Sequence, residues 1–112
     1  YVGDIVTKAP ATHTQGATAL AVQAGVNTYK IPGGSSATYA IATVSGITAS
    51  DKGRVITLEG TGTENAATIA DNTTFILEDG ATWTANPGSR ISFRILDATT
   101  LVEVQGTRVQ TA

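Results

Sequence analysis

Apolar and polar residues alternate along this chain from Gly53 to Arg108, in short runs separated by clusters of Gly, Asp, Asn or Pro. The runs are Arg54–Glu59, Thr74–Glu78, Arg90–Ile95 and Leu101–Gln105. A period of two broken by turn residues predicts half-buried strands of an antiparallel sheet, and no helix of useful length can be laid over it. Ile56 and Leu58 fall on one face, opposite Val55 and Thr57, and Phe75 and Leu77 repeat the arrangement. Ile91, Phe93 and Ile95 form the cleanest core stripe, with Arg90, Ser92 and Arg94 opposite. Asp51-Lys52-Gly53, Glu78-Asp79-Gly80 and Asn86-Pro87-Gly88-Ser89 read as turns, because Pro presets φ and Gly accepts the left-handed position. The second of these is expected to close a hairpin onto Thr82-Trp83-Thr84. Asp97-Ala98-Thr99-Thr100 is expected to join the strands that begin at Arg90 and Leu101.

Before Ser45-Gly46 the pattern softens. From Ala9 to Val44, Lys30 is the only charged residue besides His13, and Ala, Thr, Gly and Ser dominate. Ala19–Val22, Thr28–Ile31 and Thr38–Val44 are expected strands, punctuated at Gln15-Gly16, Ala24-Gly25 and Pro32–Ser36. A short helix across Ala17–Gln23 is the competing reading of the first. The chain thus divides into residues 1–45, an N-terminal arm (Ala9–Val22) with the first strands, and residues 46–112, the antiparallel β-domain core, within one structural domain. The fold class expected is all-β, a small antiparallel β-sandwich or jelly-roll-like domain with an extended N-terminal arm. The glycine punctuation has a crude period but no residue-level repeat behind it, so a sandwich is preferred to a solenoid.

Composition narrows the partners. The chain has 112 residues, 41% hydrophobic but only 5% aromatic, with neither Cys nor Met. Its core must be built from Ala, Val, Ile, Leu and Thr methyls, without disulfides, and oligomerisation is the expected reinforcement. Formal net charge is −2 with 14% charged residues, which offers no field for nucleic acid or an acidic membrane surface. No apolar run approaches the ~20 residues of a membrane helix. Neither a nucleic-acid nor a membrane partner is expected.

Candidate chemistry is sparse. His13 lies between two threonines with no implied partner, and no G-x-S-x-G elbow is present. Carboxylate pairs of the kind glycosidases use could be drawn from Glu59 with Glu64, Asp71, Glu78 with Asp79, or Asp97 with Glu103, yet acidic residues at turns commonly make local hydrogen bonds instead. Asp71-Asn72 is too thin for a calcium loop, and Asn72-Thr73-Thr74 is a formal glycosylation sequon. No catalytic, metal or cofactor-binding residue is assigned, and no cofactor is expected. Candidate interface residues are Trp83, Arg90, Arg94, Glu103 and Arg108. For the arginines, exposed cross-strand ion pairs are the plain alternative, and for Trp83 a core plug or interface anchor.

The order Ile47-x-x-Ser50-Asp51-x-Gly53-Arg54-Val55-Ile56-Thr57-Leu58-x-Gly60, Ala67-Thr68-Ile69-Ala70, Asn72-x-x-Phe75-x-Leu77, Trp83-x-x-x-Pro87-Gly88-x-x-Ile91-x-Phe93 and Val102-Glu103-Val104-x-x-x-Arg108 resembles a module common in bacteriophage virion proteins. Such modules are small β-domains of tail fibres, tailspikes or capsid surfaces, typically trimeric. The closing strand of the fibre module often carries Trp before Glu-Val, where this chain has Leu101-Val102. The resemblance implies a non-enzymatic virion structural protein, trimeric by analogy: a capsid decoration, cement or head-fibre protein that binds major capsid or tail proteins. A tail fibre or tailspike receptor-binding tip, or an adhesin module that binds a host surface glycan, is the alternative.

Overall fold

The computed structural model describes residues 9–111. They fold into ten strands and two 3₁₀ turns: β1 (Ala11–Thr12), β2 (Ala19–Ala21), β3 (Thr28–Ile31), β4 (Thr43–Ser45), β5 (Val55–Gly60), β6 (Thr68–Ile69), β7 (Phe75–Ile76), β8 (Trp83–Thr84), β9 (Arg90–Asp97) and β10 (Thr100–Glu103). The protein is all-β. One six-stranded sheet has the order β1-β3-β5-β9-β10-β7, and β2-β4 and β6-β8 form two separate two-stranded ribbons.

The six-stranded sheet is mixed rather than antiparallel. β5-β9 and β9-β10 are antiparallel, whereas β1-β3, β3-β5 and β10-β7 are parallel, as is the β2-β4 ribbon. The cause lies in the turns. Gly16 (φ 79°) and Gly25 (φ 78°) adopt the left-handed conformation that glycine tolerates. They lead the chain out of β1 into the β2 ribbon and then back, so that β3 returns beside β1 in the same direction. The pairings β1-β3, β2-β4 and β3-β5 are therefore all parallel, in a stretch where the sequence offers no parallel signal. The Asp97–Thr100 turn does join β9 to β10 as a hairpin, with Asp97 accepting a hydrogen bond from the Thr99 amide at 2.9 Å. The expected hairpin through Glu78-Asp79-Gly80 does not form. That 3₁₀ turn sends β8 away to pair with β6, while β7 lies along β10.

Alternation settles which face is core. Ile56, Leu58, Ile91, Phe93, Ile95, Phe75 and Leu101 are all within 1% of complete burial. Phe75 and Phe93 meet edge to face, centroids 5.5 Å apart, a geometry that adds to simple burial. Leu20 of β2, Ile69 of β6 and Trp83 of β8 belong to the same apolar cluster. Leu20 and Val22 are buried, and β1 and β2 are both paired, so Ala11 to Val22 is not a free arm. The Ala17–Gln23 helix does not form. Residues 1–8 lie outside the described residues.

Gly60 shows how tightly this layer is drawn. A Cβ there would run into the backbone of Ala85 and Asn86, where the Asn86–Ser89 turn crosses the end of β5. Only glycine lets the Gly60 amide reach the Ser89 carbonyl at 2.8 Å.

Candidate functional site: the outer face of the six-stranded sheet

The polar half of the alternation builds a surface whose rows follow from strand register. In one row Val55 of β5, Arg94 of β9, Val102 of β10 and Ile76 of β7 stand side by side. At strand spacing, this row is roughly 15 Å long. Leu96 follows Arg94 on the same face. Val55 is 48% exposed, Leu96 47% and Ile76 40%, which makes them three of the four exposed large apolar side chains among the described residues. In the next row the Thr57 and Ser92 hydroxyls hydrogen-bond across β5-β9 at 2.9 Å. In the last, Lys30, Glu59 and Arg90 lie on adjacent strands. Together with Thr61, Gly88 and Ser89 they line an open depression of about 400 Å³. The face thus grades from apolar at one end to charged at the other.

The candidate interface residues divide sharply. Arg90 and Arg94 are exposed on this face. Trp83 is completely buried in the core, with its indole N–H 3.4 Å from the Val109 carbonyl, and offers nothing to a partner. Glu103 and Arg108 are occupied within the chain. The Glu103 side chain is 1% exposed and takes both Nε and Nη2 of Arg108, at 3.0 and 2.7 Å, plus the Glu78 amide at 2.8 Å. Arg108 also donates to the Ala81 carbonyl at 2.8 Å. The pair is a clamp that fastens the C-terminal segment over the Glu78–Gly80 turn. Trp83 and Glu103 are removed from the surface because the segments that cover them, Arg108 to Thr111, come from more than twenty residues away or return from a later turn. Gln110 and Thr111 complete that cover through Thr84 and Ser89.

Sequence reasoning missed a second clamp. Asp51 accepts the Thr48 amide at 2.8 Å and Arg54 Nη1 at 2.7 Å, while Arg54 Nη2 reaches the Val26 carbonyl. The amide bond first and the guanidinium second hold the Asp51 carboxyl below the usual aspartate range. The Ser50-Asp51-x-Gly53-Arg54 motif was the available signal. Asp97 is likewise held low, chiefly by the Thr99 amide.

The remaining candidates are dispersed. His13 is buried, its Nε2 2.9 Å from the Ala17 carbonyl and its ring stacked on Tyr39 at 6.1 Å. It flanks a small cavity of about 70 Å³ beneath β1 and β2, with Tyr29 and Leu20. Asn72 spends its side-chain oxygen on the Thr74 and Phe75 amides, both at 2.7 Å, and its nitrogen on Ala42. Asp71 accepts the Leu77 amide at 2.8 Å beside the exposed Glu78 and Asp79. Among the described residues, no three His, Asp or Glu side chains converge on a point that could hold a metal ion, and no helix is long and apolar enough to cross a membrane.

No protein-family model, curated protein or solved structure matches the chain.

Proposed function

We propose that this chain is a non-enzymatic structural protein of a bacteriophage virion, a trimeric capsid decoration, cement or head-fibre protein that binds capsid or tail proteins. The observation that carries the reading is the outer sheet face: a weakly charged all-β chain displays Val55, Ile76 and Leu96 on one face of its main sheet. Exposed apolar side chains in a row mark a protein contact more often than a small-molecule site. Leu20, Ile69 and Trp83 of the two ribbons share one apolar cluster with the buried face of the main sheet, which supports the finer reading of a small β-sandwich.

Decoration is favoured over a receptor-binding tip or glycan-binding adhesin by one feature. Glycan recognition commonly uses an exposed aromatic face, and among the described residues Trp83, Tyr29, Phe75 and Phe93 are buried while half-buried Tyr39 stacks on His13 and donates its hydroxyl to the Pro32 carbonyl. The test is mass spectrometry and immunogold labelling of virus particles purified from the source culture, with rebinding of recombinant chain to particles stripped of it. The chain is expected in a fixed stoichiometry on the particle surface. Its absence from particles, or turnover of a polysaccharide by the purified chain, would overturn the reading.

A further inference from the structure

The charges of this protein are segregated. Two ion pairs, Arg54–Asp51 and Arg108–Glu103, occur among the described residues. Of the four described cations outside those pairs, Lys30, Arg90 and Arg94 stand on the outer sheet face, with Glu59 as the carboxylate between the first two, and Lys52 is exposed in the turn before β5. That face is positive in a chain whose formal net charge is −2. Of the exposed carboxylates, Glu64 lies in the loop after β5 and Asp97 ends β9, while three gather at the sheet edge formed by β7. There Asp71, Glu78 and Asp79 are all exposed, and Asp71 is tied to the turn through the Leu77 amide.

We propose that copies of this chain bind one another head to tail, with the outer face of one sheet around Arg94 docked on the Asp71–Glu78–Asp79 edge of the next copy. Electrostatics selects this occupant and this symmetry. In a two-fold contact a face meets itself, so Arg94 and Arg90 would be desolvated against a second set of cations, which costs free energy. A head-to-tail contact joins unlike patches, places carboxylates over Arg94 and lets Val55, Val102 and Leu96 lose water in the same step. Arg94 is centred among those apolar neighbours, where a desolvated guanidinium contributes most to register. A contact of this kind closes into a ring when its rotation permits. The inference deepens the self-association in the virion reading and rests on it.

Sedimentation velocity of the full chain over a concentration series tests it. Association is expected to weaken at high salt. Arg94→Glu should weaken it about tenfold or more, with the thermal melt of the dilute protein unchanged, and so should Glu78→Arg combined with Asp79→Arg. Joining both changes in one chain should restore association. A wild-type chain that stays monomeric, an Arg94→Glu chain that associates as well as or better than wild type, or no recovery in the combined variant would overturn the proposal. A chain found on particles but monomeric in solution would defeat this contact and the trimeric state, and leave the virion location standing. A self-associating chain absent from particles would defeat the virion reading alone.

Discussion

The two faces of the six-stranded sheet are written by the same alternation and meet opposite fates. On the inner face Ile91, Phe93, Ile95 and Leu101 are buried in one apolar cluster with Leu20 of β2, Ile69 of β6 and Trp83 of β8, whereas on the outer face Val55, Leu96 and Ile76 remain 40–48% exposed. Hydrophobicity does not distinguish them; what covers them does. The lesson is that stability resides in the inner face and in the two clamps, Glu103–Arg108 and Asp51–Arg54, while the outer face contributes little to it.

The largest break in that comparison should come from Phe93→Ala. It removes a fully buried ring packed against Phe75 and is expected to cost about 3–5 kcal/mol in urea unfolding. Arg108→Met should follow at about 3 kcal/mol, because it strands the buried Glu103 carboxylate; partial exposure of the guanidinium keeps the loss toward the low end. Adding Glu103→Leu should recover much of it, since no charge is then left unpaired.

Acid should act next, through the Asp51 clamp and the Asp97 turn. Asp51 and Asp97 have folded pKa values below their unfolded ones, so their contribution is present above the unfolded value near 4 and is lost as pH falls through the folded value. Urea midpoints measured from pH 6 down to pH 2 should decline below about pH 4, and Asp51→Asn should flatten part of that decline. The smallest effect sharpens the comparison from the other side. Val55→Ser and Leu96→Ser should change the stability of the dilute chain by less than about 0.5 kcal/mol, in a protein where Phe93 is indispensable.

Much of the inner face was legible in the residues. Ile91-x-Phe93-x-Ile95 and Ile56-x-Leu58 alternate so regularly that their burial follows from the pleat alone, and Asp97–Thr100 forms a tight hairpin from purely local chemistry. Parallel pairing was not legible. β1 and β3 are joined by a crossover through another ribbon, and no local turn signal specifies which distant strand a chain will meet on its return. The same physics hid Trp83 and Glu103. Their burial depends on segments from Arg108 to Thr111 folding back over β8 and β9, a long-range event that alternation does not encode. Arg90 and Arg94, whose exposure depends only on strand parity, were placed on the outer face by sequence and remain there.

Methyl NMR across a dilution series tests the central claim most directly, because it reads the two faces separately in one sample. The methyl signals of Val55, Ile76, Leu96 and Val102 are expected to shift and broaden as concentration rises, while those of Ile56, Ile91, Ile95 and Leu101 stay fixed. Outer-face methyls that ignore concentration, or inner and outer methyls that move together, would contradict the division between a sealed face and a docking face.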